Sequence, residues 1–135
     1  MSLKASPMVW TGRVLTGLFA LFMLGASITP KFFMPDIAAQ SMAPDGWHAD
    51  KTLLLGIIEL GCLILYLIPR TAVFGAVLMT AYLGGAIATN LRVDNPLFGF
   101  TLFGVYLGLF LWGGLWLRDP ALRALFPFRR AAPAI

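Results

Sequence analysis

Four long runs of apolar residues follow one another along the chain, with polar segments between them. The runs cover residues 10–28, 52–68, 71–91 and 97–117. A helix needs about 20 apolar residues to cross a membrane, within a range of roughly 17–25, so each run is long enough. Backbone groups in lipid must be paired within the segment, and the runs do not alternate strictly between polar and apolar positions. The pattern therefore predicts an all-α protein, a four-helix transmembrane bundle.

The segments between the runs indicate how the helices are connected. The second and third runs are joined by little more than Pro69 and Arg70, which requires a tight antiparallel hairpin. The third and fourth runs are joined by a short segment ending in Pro96, which suits the start of a helix because proline has no amide hydrogen. The longer segment between the first two runs carries three prolines, and a short amphipathic helix is expected there at about 35–42. A basic tail, 118–135, follows the last run.

The composition supports a membrane environment and a single domain of 135 residues. Hydrophobic side chains make up 59% of the chain and charged ones 12%, whereas soluble domains carry about 25% charged residues. The net charge of +4 does not predict a nucleic-acid partner, because the positive charges lie at the ends of the apolar runs. The single cysteine, Cys62, excludes an internal disulfide and a paired-cysteine redox motif. No pattern of metal ligands is present, so no metal site is predicted.

The distribution of lysine and arginine predicts the orientation in the membrane. Seven basic residues fall on the side of the two termini and three on the other side, which places both termini in the cytoplasm. The seven are Lys4, Arg13, Arg70, Arg118, Arg123, Arg129 and Arg130, and the three are Lys31, Lys51 and Arg92.

A cleaved signal peptide is an alternative interpretation of residues 1–27. This stretch has basic residues, an apolar core and the small residues Gly25, Ala26 and Ser27 before a candidate cleavage site. Cleavage would leave three crossings and would place the new N-terminus outside.

A lone carboxylate, Glu59, interrupts the second apolar run. A bare charge in the centre of a membrane helix costs about 2.5 to 3.5 kcal/mol. At about 1.5 Å per residue, Glu59 lies about 10 Å below the outer end of its helix, which is too deep for the side chain to reach the surface. We therefore expect Glu59 to be protonated, paired or directed at a polar cavity.

Depth along the helices predicts which residues accompany the carboxylate. Tyr82 and Tyr106 each lie about 13 Å below the outer surface, nearly level with Glu59. Arg13 approaches from the cytoplasmic side as a candidate counter-charge. Arg92 and Lys31 lie at the outer mouth and could reach down towards the acid. We expect a small polar layer in which Glu59 is hydrogen-bonded to one or both tyrosines. The layer either locks the helices together, binds a ligand or handles protons, or forms a partner interface.

The stretch GIIELGCLILYLIPRTAVFGAVLMTAYLGGAIATNLR resembles the DoxX-like family of small four-helix bacterial membrane proteins. The resemblance extends to WTGRVLTGLFALFML and LRDPALRALFP and so covers most of the chain. It implies a multi-pass protein of the bacterial cytoplasmic (inner) membrane, near quinone or thiol redox chemistry. Many relatives carry a histidine where this chain has Asn90, which forms hydrogen bonds but does not titrate. Residues that match recurring family positions are Arg13, Lys31, Glu59, Arg70, Tyr82 and Arg92.

Three hypotheses for the function follow. The first is a membrane subunit of a redox system, not an independent enzyme, that holds a quinone or another apolar molecule and works with a redox partner protein. The second is a membrane anchor or assembly partner without chemistry. The third is a small-solute transporter subunit, which four helices would support only as a homodimer. The candidate ligand-binding residues are Glu59, Tyr82, Tyr106, Arg13, Asn90 and Arg92.

Overall fold

The computed structural model describes residues 6–129, which form six helices and no strand. The prediction of an all-α chain is therefore confirmed for these residues. Two basic residues of the orientation count, Lys4 and Arg130, and the end of the basic tail at 130–135 lie outside the described residues. The helices are α1 (Pro7–Phe33), α2 (Pro35–Met42), α3 (Thr52–Leu67), α4 (Ala72–Arg92), α5 (Leu97–Arg118) and α6 (Pro120–Leu125).

Three of the helices in the described part of the chain are long and apolar enough to cross a membrane. They are α1, α5 and the helical segment Pro69–Arg92, which comprises α4 and the turn before it. The second predicted crossing forms α3, which is equally apolar in composition but has only 16 residues. The helix α3 is therefore shorter than the three long apolar segments.

The first helix continues beyond its predicted end at residue 28. Ser6 caps its start, where the Ser6 hydroxyl accepts a hydrogen bond from the Val9 amide at 3.3 Å. The stretch Met23–Ile28 is π-helical, and this wider turn ends two residues before Pro30, which cannot donate a backbone hydrogen bond. As a result, Lys31 lies in the helix and not in a loop.

The helices pack around one apolar core. The first half of α1 packs against α5, its last turns pack against α3, and α4 packs against both α3 and α5. At the crossing of α1 and α5, a Cβ atom on Gly12 would lie 2.6 Å from the carbonyl oxygen of Gly114. This approach requires glycine, and it places the start of α1 beside the end of α5. The largest fully buried apolar side chains are Phe19, Met23, Leu63, Tyr66, Met79 and Leu111.

The end of the molecule opposite the start of α1 and the end of α5 is called the outer end. It carries the linker 34–51, which includes α2, and the loop between α4 and α5. The helix α2 covers the range in which the sequence predicts a short amphipathic helix, and it packs on α1 and α3.

Candidate functional site

The site is centred on Glu59, in the middle of α3. The side chain of Glu59 is completely buried. Its Oε2 atom forms an ion pair with Lys31 Nζ at 3.0 Å and accepts a hydrogen bond from the Tyr82 hydroxyl at 3.3 Å. The Lys31 ammonium also donates to the carbonyl and hydroxyl oxygens of Ser27, at 3.1 and 2.9 Å. These three acceptors match the three protons of an ammonium group, so Lys31 is fully hydrogen-bonded.

The second carboxylate oxygen of Glu59 differs from the first. Oε1 is buried and has no hydrogen-bond partner among residues 6–129. Leaving a buried acceptor unpaired costs about 1–3 kcal/mol. Glu59 can therefore accept one further hydrogen bond from a donor that reaches it, and this capacity is the most distinctive chemical feature of the site.

A cavity of about 440 Å³ lies beside the ion pair. Pockets that bind small molecules usually measure roughly 300–1,000 Å³, with apolar walls and a few converging polar groups. Apolar lining residues include Phe22, Met23, Leu55, Leu83, Phe103 and Leu107. Polar lining residues include Ser27, Lys31, Glu59, Tyr82, Thr89 and Asn90. The polar groups thus lie on α1, α3 and α4, and α5 contributes apolar surface.

Hydrogen bonds hold the linker across the outer end of this cavity. The Asn95 side-chain amide donates to Asp45 Oδ1 at 2.9 Å and to Asn90 Oδ1 at 2.7 Å. Arg92 Nη2 donates to the backbone carbonyl of Asp45 at 3.0 Å. We call these contacts the clasp. Asp45 and Trp47 also line the cavity, so the clasp holds the linker over its outer end.

Several residues predicted for the site are brought together. Glu59 and Tyr82 are hydrogen-bonded, as their equal depth predicts. Asn90 lines the cavity, although its amide donates to Ala86 and its oxygen accepts from the loop. Arg92 lies at the outer end and belongs to the clasp.

The placement of Arg13 in the polar layer is wrong. Its guanidinium lies 5.1 Å from the centre of the Trp10 ring, on an exposed face of α1. The neighbouring Gly12 faces α5, so the next position points away from the bundle. The counter-charge is Lys31, one of the two basic residues at the outer mouth that the sequence places within reach of the acid.

Of the two tyrosines that the sequence offers as partners of the carboxylate, Tyr106 does not contact it. Its hydroxyl donates to the carbonyl of Phe98 at 3.0 Å, and the side chain is 39% exposed. The rise per residue predicts the depth of Tyr106 along α5, but it does not predict the direction in which its side chain points around the helix. Tyr106 therefore satisfies a carbonyl of the π-helical first turn of α5 rather than the buried acid.

Sequence reasoning missed a second buried polar cluster at the level of Tyr66. The Tyr66 hydroxyl donates to the carbonyl of Leu111 at 2.6 Å and lies 3.0 Å from Thr16 Oγ1. Tyr66 falls on the same face of α3 as Glu59, and this spacing was the available signal. The cluster joins α1, α3 and α5 and lies outside the cavity lining.

The protein is a small helical membrane protein, because three long apolar helices and an ion pair buried among apolar side chains are typical of that class. The model of the DoxX-like family matches residues 14–114, which is most of the chain. The chain belongs to the DoxX-like family. No curated protein and no solved structure matches it significantly.

Proposed function

We propose that the protein crosses the bacterial cytoplasmic membrane four times, through α1, α3, α4 and α5, with both termini in the cytoplasm. Two observations support this topology. The start of α1 lies beside the end of α5, as an even number of crossings requires. Basic residues are more frequent at that end, which is the cytoplasmic end by the positive-inside rule.

Within this topology, the protein binds a quinone-type molecule in its cavity, as the membrane subunit of a redox system that includes a separate partner protein. The observation that carries this function is the buried Lys31–Glu59 pair at the wall of an apolar cavity. The protons of Lys31 and Tyr82 are already donated to Ser27 and Glu59, whereas Glu59 Oε1 offers an acceptor that has no partner among residues 6–129. A quinone ring is apolar, its carbonyl oxygens accept hydrogen bonds, and the hydroxyl groups of its reduced form donate them. The apolar wall thus suits the ring, and Glu59 Oε1 can accept a hydrogen bond from a hydroxyl group of the reduced form.

The proposal is tested by identifying the molecules that purify with the protein in mild detergent. Lipid extracts of the wild type, Glu59→Ala, Glu59→Gln and the control Tyr106→Phe are compared by mass spectrometry. The control changes an exposed tyrosine that does not line the cavity. We expect a quinone to be enriched in the wild type and the control and to be lost from both Glu59 variants, with helix content unchanged by circular dichroism.

A different result would support the anchor or assembly hypothesis. If the wild type retains no enriched molecule, and Glu59→Ala only lowers thermal stability, the ion pair holds the helices together and the protein does not use it to bind a ligand. The function would then be sought in partner proteins that purify with the chain.

A further inference from the structure

The helices α1 and α5 are close at one end of the molecule and separate towards the other. Near the termini they cross at Gly12 and Gly114. Towards the outer end, the last turns of α1 pack on α3, and the first turn of α5 packs on α4. A gap therefore opens between the outer half of α1 and α4. We call this gap the wedge, and it is lined by Phe22, Ala26, Ala81, Gly85 and Phe103.

The wedge leads from the cavity to the surface. All five of its residues line the cavity and are also exposed. Three of them are small, and a Cβ atom on Gly85 would meet no other atom within 4 Å. The rings of Phe22 and Phe103, each 38% exposed, contact each other edge to face at 5.3 Å between centroids and border the gap.

The wedge opens at the depth of the membrane interior. Ala81 and Gly85 lie in the middle third of α4, which has 21 residues. With α4 spanning the bilayer, this position faces hydrocarbon chains and not water. The outer end of the cavity, in contrast, is covered by the linker that the clasp holds in place.

We infer that the ligand is a lipid-soluble molecule with an oxygen-bearing head and a long apolar chain, which enters from the bilayer through the wedge. The head lies at Glu59, and the chain passes between α1 and α4 into the lipid. This inference rests on the proposed function and specifies its ligand class. A cavity of about 440 Å³ holds a ring with the start of a chain, so the rest of a long chain has to lie outside it. The wedge is an apolar path out of the cavity at the depth of the membrane interior.

Two neighbouring glycines provide a matched test. Gly84 and Gly85 are both exposed, and a Cβ atom at either position meets nothing within 4 Å, but only Gly85 lines the cavity. Gly85→Phe therefore obstructs the wedge, and Gly84→Phe adds the same ring elsewhere on α4. The full-length variants are placed in lipid nanodiscs, and helix content and thermal stability are compared first. The probes are a polyprenyl quinone dissolved in the lipid and the same quinone ring without its chain.

Binding is followed by the quenching of tryptophan fluorescence, since quinones quench on contact and Trp47 lines the cavity. We expect Gly85→Phe to weaken binding of the polyprenyl quinone by at least about tenfold and to leave the chain-free ring within about threefold of the wild type. Gly84→Phe should leave both affinities unchanged.

The opposing outcomes separate the inference from the proposed function. If Gly85→Phe binds the polyprenyl quinone as the wild type does, the chain does not use the wedge, although the quinone site stands. If Asp45→Ala, which unties the clasp, changes this binding while Gly85→Phe does not, the ligand enters through the outer end and the inference is wrong. If neither probe binds the wild type, the proposed function itself fails.

Discussion

Replacing Lys31 by methionine tests how much the buried ion pair contributes to stability. Methionine keeps much of the apolar stem of lysine and removes the ammonium group. The carboxylate of Glu59, which is completely buried, then retains only the Tyr82 hydroxyl at 3.3 Å as a donor. Removing one partner of a buried ion pair costs about 3–5 kcal/mol, because the remaining charge is left uncompensated.

The geometry predicts that the cost depends on which partner is removed. Glu59→Met leaves Lys31 with its two hydrogen bonds to Ser27, so the remaining ammonium is still partly solvated by the protein. Its cost should therefore fall towards the lower end of about 3–5 kcal/mol. The double variant Lys31→Met/Glu59→Met removes both charges, and apolar replacement of a buried pair is often neutral or stabilising. We expect its free energy of unfolding to lie within about 1 kcal/mol of the wild type.

The assay is unfolding by SDS titration from mild detergent, followed by circular dichroism, for the two single variants and the double variant. The control is Arg13→Met, which removes an exposed charge that stacks on Trp10 and should cost less than about 1 kcal/mol. The double-mutant cycle then gives the coupling energy of the pair. Single variants that each cost no more than the control, and whose effects simply add, would refute the ion pair as a stabilising contact.

Two further substitutions test the packing between helices, each with a control. Tyr66→Phe removes a buried donor to a carbonyl of α5 and should lower the free energy of unfolding by about 1–3 kcal/mol. Its control, Tyr106→Phe, is at an exposed site and should lower it by less than about 0.5 kcal/mol in the same SDS assay. Gly12→Leu would force α1 and α5 apart where Gly12 meets Gly114, and it should lower the free energy of unfolding by at least about 1–3 kcal/mol in that titration. Its control, Gly17→Leu, adds a side chain where a Cβ atom meets nothing within 4 Å and should be close to neutral. Equal effects within either pair would contradict the packing described.

The sequence predicts the helices well, because apolar runs of this length have few other structures available in a membrane. It also predicts that Glu59 meets one or both of Tyr82 and Tyr106, because rise per residue converts position into depth, and the structure shows the contact with Tyr82. Depth alone does not give the direction of a side chain around its helix, so it does not reveal that Arg13 and Tyr106 lie outside the polar layer.

The position of Lys31 depends on backbone geometry that local sequence rules do not anticipate. Pro30 normally indicates that a helix has ended, whereas here α1 passes through a π-helical turn and continues to Phe33. The clasp is equally hard to predict, because Asp45 and Asn95 are 50 positions apart and neither belongs to a local motif.

In the proposed topology, in which α3 crosses the membrane, its short length has a consequence for the lipid around the protein. Sixteen residues at about 1.5 Å each span about 24 Å, so α3 is about 6 Å shorter than a hydrocarbon layer of about 30 Å. The helix α2 packs on α3 and presents Ile37, which is 60% exposed, and the ring of Phe33 just before α2 is also exposed. We expect this hydrophobic mismatch to draw α2 into the outermost acyl layer, where it compensates for the missing turn. The protein should then prefer thin bilayers, and lengthening the acyl chains of the host lipid should strain the region next to its ion pair.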